Sequence, residues 1–285
     1  TLDRLIPPAL FIVALLVYLT YGLQGEFRAD SGLYTYAAQQ MLRGAHFYAG
    51  TFAIKGPLSV FVLAGGMGLG RLFGLDDLLA ARLTNLLFSC LCVVAVYALG
   101  RELLRSRRAG VFAALTFLTF FTFGMYAGSG PRAKTFLVLP FILCLWWAAR
   151  RRWFWAGLAG ALAALVWQPM ALAPLVLVIL AGVQTAGPAR ERLRAALRAV
   201  VGVALPLVAV IIYFAAAGAL RQAVEATVRF NLSYIDRGPV TLAEHLWNPI
   251  RWSMKGYAGQ WVLMLLGLAT LIALSIGRRR QAGGL

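Results

Sequence analysis

Apolar stretches recur along the chain at approximately 5–23, 58–73, 78–101, 109–127, 133–149, 153–167, 169–184, 198–217 and 258–277. Short segments rich in arginine, glycine and proline separate them. A helix needs roughly 20 apolar residues to cross a bilayer, and each of its backbone amides must find a partner inside its own segment. The strands of a membrane barrel would instead alternate over about ten residues. The pattern predicts an all-α, polytopic helical membrane protein.

Nine apolar runs do not make nine crossings. Basic clusters stand at Arg101/Arg105/Arg107/Arg108, Arg150/Arg151/Arg152, Arg190/Arg192/Arg194/Arg198 and Arg278/Arg279/Arg280, with Arg4 near the start. Lysine and arginine accumulate on the cytoplasmic side of membrane spans. All the clusters share that side only if one early run fails to cross. The segment "LSVFVLAGGMGLGRLFG" (58–74) fits that part, because it is short, holds five glycines and carries an arginine near its tip. Segments of that kind lie at the interface or re-enter. The expectation is about eight transmembrane helices with both termini cytoplasmic. Residues 24–77 form a first outer loop with juxtamembrane helices, and 218–257 a second large outer loop. Runs 153–167 and 169–184 meet at Trp167-Gln168-Pro169, which predicts a polar turn lining a cavity below the outer surface. No internal repeat suggests a transporter built from inverted halves.

Composition agrees: 61% of residues are hydrophobic, 13% are charged, and mean hydropathy is +0.77. Soluble domains carry about 25% charged residues. The net charge of +17 would suggest nucleic acid in a soluble chain. Here the positive-inside bias accounts for it, and no recognition motif accompanies it, so no nucleic-acid partner is expected. Cys90, Cys92 and Cys144 sit inside apolar runs without metal-type spacing and read as packing residues. The first run reads as a retained anchor, not a cleaved signal peptide. A chain opening on Thr1 and ending at Leu285 fits a piece of a longer protein, truncated at its C-terminal end.

Polar chemistry concentrates in "EFRADSGLYTYAAQQMLRGAHFYAGTFAIKGPL" (26–58). Asp30 suits two roles there: an N-cap for "SGLYTYAAQQML", or a general base taking a proton from a hydroxyl. Glu26 reads as structural. Lys55 either orients the loop by pairing with an acid or meets a phosphate. His46 and His245 read as interfacial residues. Gln168 either faces a cavity or is a satisfied amide at a proline turn. Asn231-Leu232-Ser233 has the form of a glycosylation acceptor that chance explains. Arg132, Lys134, Arg237 and Lys255 are outer-side bases suited to a phosphate leaving group, arginine through two hydrogen bonds.

Asp30, Tyr34, Tyr36, Ala37, "MLRG" at 41–44, Tyr48, "KGPL" at 55–58, Phe73-Gly74 and "AAR" at 80–82 follow one another in an order that resembles the C-type (GT-C) membrane glycosyltransferases. That superfamily includes the protein O-mannosyltransferases and the aminoarabinose transferases of lipid A. The resemblance covers residues 5–185 well and the remainder loosely. It implies one transmembrane module over 1–285 in the plasma (inner) membrane. It implies inverting transfer of a sugar from a polyprenyl-phosphate donor to a glycan, lipid or protein acceptor on the outer face. Asp30 takes the position of the catalytic base, and Tyr34, Lys55 and Gln168 join the outer-side bases as substrate contacts.

Three features depart from the pattern. One acid stands where many relatives have two (Asp30-Ser31), "GSGPRAKTF" (128–136) is basic where an acid is common, and the chain stops where relatives continue. Too few carboxylates remain for a well-held divalent ion, so the expected reaction uses no metal, or one held only weakly, and no other cofactor. Two further readings stay open: a non-catalytic relative serving as a subunit, and a flippase for a lipid-linked precursor. Against the flippase, the apolar runs hold almost no ionisable group except Arg82.

Overall fold

The computed structural model describes residues 2–24, 27, 29–51, 53–235 and 242–282, and all its regular structure is helical. The chain divides into two compact units, Thr1–Tyr234 and Ile235–Leu285.

In the first unit the helices are α1 (Leu2–Leu19), α2 (Ala29–Leu42) within the polar first loop, α3 (Leu58–Leu72), α4 (Asp77–Leu104), α5 (Arg107–Leu118) and α6 (Phe121–Ser129). There follow α7 (Ala133–Ala149), α8 (Trp153–Val166), a 3-10 turn (Gln168–Ala171), α9 (Leu172–Gln184) and α10 (Ala189–Ala216). A broken helix then runs through α11 (Leu220–Val224), a π turn (Glu225–Arg229) and α12 (Phe230–Ile235). Local chemistry sets several boundaries. The Asp76 carboxylate accepts from the Leu78 and Leu79 N–H groups at 2.9 and 3.2 Å, and so caps α4. Arg105, in the left-handed conformation, ends α4, and Ser106 caps α5 through the Ala109 N–H.

Among the described residues, α4 and α10, 28 residues each, are long and apolar enough to cross a bilayer. The pair α5 and α6, bent by 68°, would make a third as one broken span. Of the eight crossings expected, length and composition therefore support two or three. The run 109–127 is not one straight helix: it breaks at Thr119-Phe120. The run 58–73 forms the 15-residue α3, tied to the start of α4 by Arg71, which contacts the Asp77 carboxylate at 2.8 Å.

Four helix ends meet at one end of this unit. Asp3 lies 3.6 Å from Arg101 and 3.0 Å from Arg107, while Glu102 lies 3.2 Å from Arg105 and 3.4 Å from Arg150. The start of α1, the end of α4, the start of α5 and the end of α7 are thus gathered together. Shortly after Arg150 the chain enters α8, which packs backbone to backbone against α10. A Cβ on Gly157 would come within 2.3 Å of the Ala199 carbonyl oxygen, and one on Gly202 within 2.1 Å of that of Phe154. Small residues at such a crossing let two helices approach closely.

Three apolar clusters fill the unit. Tyr18, Val93 and Tyr97 centre one among α1, α4, α5 and α6, while Cys144, Trp153 and Leu177 centre another among α7–α10. The third, with Tyr34, Phe47, Leu63, Met67, Phe136 and Phe214, underlies the loop before α3. The cysteines are free and buried, as packing residues are.

The second unit holds α13 (Leu242–Gly256) and α14 (Ala258–Ala282), with the Trp261 indole donating to Ser253 Oγ at 3.1 Å. On α13, Trp247, Ile250 and Trp252 are exposed apolar residues, interspersed with polar ones. An amphipathic helix with tryptophans suits a membrane interface.

Candidate functional site

Residues 53–57 are held by backbone locks from three directions. Tyr48 is buried with φ +68°, its ring 4.1 Å from Phe47 and 5.2 Å from Phe214, and its phenol donates to the Lys55 carbonyl. The Ile54 carbonyl accepts from Gln168 Nε2 at 2.9 Å and from Asn231 Nδ2 at 2.8 Å. Both amides also donate to the Thr227 carbonyl, at 3.3 and 3.1 Å. Gly56 lies against the end of α8, where a Cβ would fall 1.9 Å from the Leu165 carbonyl oxygen. Pro57 then precedes α3.

These locks aim Lys55. Its Nζ lies 3.3 Å from Asp30 Oδ2 and 5.6 Å from the centroid of the Tyr34 ring. Burial weakens the ammonium, but the Tyr34 phenol and the Asp30 carboxylate outweigh that, so Lys55 sits above the ordinary lysine value of 10.5. Burial likewise pushes the Tyr34 phenol up, and Lys55 and Arg132 offset part of the rise. Asp30 stands inside the first turn of α2, one residue past its start, and not at the cap. Its side chain is 52% exposed. A carboxylate there complements the helix dipole and still faces water.

Arg132 reaches the same neighbourhood from the other side. Asn85 of α4 is buried, and its amide donates to the carbonyls of Tyr126 at 2.8 Å, Ala127 at 3.1 Å and Gly130 at 3.4 Å. The last carbonyls of a helix lack intrahelical partners, and Asn85 supplies them for α6. Arg82, stacked 4.5 Å over Phe27, donates to Ser129 O at 3.2 Å. Gly130 packs against Phe27 and Ser31, which sets Arg132 beside α2. The Arg132 guanidinium lies 3.8 Å over the Tyr126 ring, and its shielded Nε finds no hydrogen-bond partner among the described residues. Lys134 is exposed, with Nζ 5.6 Å from the Trp167 ring.

Behind the loop lies an apolar cavity of about 260 Å³, lined among others by Tyr48, Gly56, Leu165, Gln168, Phe214 and Leu220. The structure therefore brings Asp30, Tyr34 and Lys55 into contact and places Arg132 within electrostatic reach of Tyr34. Lys134 and Gln168 stand at the turn beyond. Gln168 both lines the cavity and acts as a clamp. His46 is exposed, and its carbonyl accepts from the Ala49 and Gly50 N–H groups. Arg237 and Glu26 lie outside the described residues, as do the side chains of Lys255 and His245, both on α13. Among the described residues no three of His, Cys, Asp and Glu gather as metal ligands would.

Sequence reasoning gave no site role to Asn231, Asn85 or Tyr48, although Tyr48 stands among the motif residues of the first loop. Asn231 stood out only as part of a glycosylation acceptor that chance explains. Compared with protein-family models, curated proteins and solved structures, the chain gives no match. What remains is the chemistry of the site: an exposed carboxylate paired with an ammonium, a guanidinium near the same tyrosine, and an apolar cavity lined by the residues that follow Lys55.

Proposed function

We propose that this chain is an integral membrane glycosyltransferase that moves a sugar from a polyprenyl-phosphate donor to an acceptor hydroxyl on the outer face of the membrane. The observation that carries the reading is the Asp30–Lys55 pair, 3.3 Å apart, on the loop whose next residues, Gly56 and Pro57, line the 260 Å³ apolar cavity. The acceptor oxygen attacks the anomeric carbon as the bond from that carbon to the phosphate oxygen breaks, with inversion. Asp30 accepts the hydroxyl proton. Lys55, Arg132 and Lys134 take up the charge growing on the departing phosphate, and the first isoprene units occupy the cavity. The resemblance of the first loop to the GT-C pattern supports the reading. Topology follows from charge: the arginine-rich helix ends are cytoplasmic and α2 is outside.

The test is Asp30→Asn in isolated membranes supplied with labelled polyprenyl-phosphate sugar. Transfer is expected to fall about 10²- to 10⁴-fold. Undiminished transfer removes Asp30 from the mechanism. Loss of the Lys55 contact, with the chain folded and transfer absent in both forms, would favour a non-catalytic subunit in which the pair only orients the loop.

A further inference from the structure

About 24 Å along α4 from Asn85, by helical rise, the gathered helix ends border a second and larger cavity of about 670 Å³. Its polar wall is Asp3, Arg101, Glu102, Arg105, Arg107 and Arg150. Four guanidinium groups face two carboxylates there. The four arginine side chains keep between 38% and 77% of their surface exposed and all four line the cavity, so the excess positive charge is open to an incoming anion. Trp146 lies beside Arg150, 5.1 Å from ring centroid to guanidinium carbon, while Arg150 Nε faces the Glu102 carboxylate at 3.4 Å. Ser106 also lines the space and opens α5. By helix geometry the N–H groups of Arg107 and Arg108 have no acceptor within α5, and a helix N-terminus attracts anions. The volume lies within the range of small-molecule sites, about 300–1,000 Å³.

A neighbouring groove decides the class of ligand. It measures about 600 Å³, runs between α1 and α5, and is lined by Ile6, Val111, Phe112 and Leu115 together with Arg107 and Arg108. Phe112 is 70% exposed and Leu115 43%. Arg107 lines both spaces. A polar, arginine-rich pocket that shares a wall with an open apolar groove suits an amphiphile with an anionic head.

We propose that this pocket and groove bind a lipid with a phosphate headgroup. The phosphate sits among Arg101, Arg105, Arg107 and Arg150, and the hydrocarbon chain lies along Ile6, Phe112 and Leu115. Asp3 and Glu102 hold the arginines apart when the site is empty and compete with the phosphate for them. The site is separate from Asp30 and does not depend on the proposed transfer.

The competition makes the proposal testable without relying on a loss. The purified full chain in neutral detergent is offered phosphatidylglycerol, phosphatidylcholine, glycerol phosphate or inorganic phosphate, and bound lipid is counted by native mass spectrometry. Phosphatidylglycerol should be retained over phosphatidylcholine, with neither soluble anion displacing it at equal concentration. Arg105→Gln and Arg107→Gln should each lower retention about fivefold. Glu102→Gln, which releases Arg105 and Arg150 from their carboxylate, should raise it. A misfolded protein would not produce that gain. Equal retention of the two lipids overturns the proposal. So does full displacement by glycerol phosphate, which would mark a free-anion site, and so does Glu102→Gln retention at or below wild type, which would mark the arginines as ion-pair staples only.

Discussion

The Gln168–Asn231 clamp predicts a specific failure of additivity. Two amides donate to the same two carbonyls, Ile54 O and Thr227 O. In Gln168→Met both carbonyls keep a donor from Asn231, and the loss is one good hydrogen bond and one long one, about 1 kcal/mol. In Asn231→Leu the bond to Ala226 O at 3.2 Å is lost as well, for about 2 kcal/mol in all. The double variant leaves the Ile54 carbonyl, which lies outside any helix, without either amide. An unsatisfied buried acceptor costs about 1–3 kcal/mol, so the double variant should exceed the sum of the singles by about 1–2 kcal/mol, within the usual span of coupling energies. Reversible unfolding of the purified chain in mixed detergent and sodium dodecyl sulfate, extrapolated to zero denaturant, measures all four corners of the cycle. Additivity within about 0.5 kcal/mol would mean that the two amides act separately, and the clamp would be refuted.

Gly56→Ala puts a Cβ 1.9 Å from the Leu165 carbonyl oxygen, a backbone atom at a helix end that has little room to yield. The expected loss is about 3 kcal/mol, read in the same unfolding assay, and a variant of wild-type stability would show that the loop does not seat there. The Lys55 pair predicts a flat pH profile. Its folded value is raised above 10.5, so the stability it adds is fully present below 10.5 and is lost as pH rises through the folded value. The stability difference between wild type and Lys55→Met should stay constant over about pH 6 to 9 and shrink only in stronger base. A difference that changes between those limits would refute the pairing.

How far the fold could be read from the chain varies with the range of the forces involved. Hydropathy alone placed α3, α7 and the break between α8 and α9 to within a residue or two, because apolar runs and Trp167-Gln168-Pro169 are local signals. The bend between α5 and α6 has no such signal: no proline or charge interrupts Phe112 to Ser129. It coincides with Asn85 drawing the carbonyls at the end of α6 toward α4, and that donor comes from 41 or more residues away in sequence. The start of α10 was also missed, because Ala189–Ala199 reads as a charged connector until its alanines and arginines are recognised as good helix formers. The site divides in the same way. Asp30, Tyr34 and Lys55 stand in one quoted loop and were legible as a group. The amide reaching Ile54 from Asn231 spans 177 residues, and nothing near Asn231 announces its acceptor.

That division has a chemical consequence for Lys55. The locks on its backbone are neutral: two amides on Ile54 O, a phenol on its own carbonyl, and the close seat of Gly56. Neutral contacts of this kind are not screened by salt, whereas charge pairs at the surface are. Among the described residues, the one charged contact of its side chain is the pair with Asp30, whose carboxylate is half exposed, and such pairs contribute about 0–1 kcal/mol. The loop therefore does not depend on the ion pair for its shape. On the proposed reading, an incoming phosphate can draw the ammonium away from Asp30 while Ile54, Gly56 and Pro57 stay in place. The carboxylate is then released to accept a proton at the moment the donor is bound. An ion pair that had to hold the loop as well would set phosphate binding against the integrity of the site.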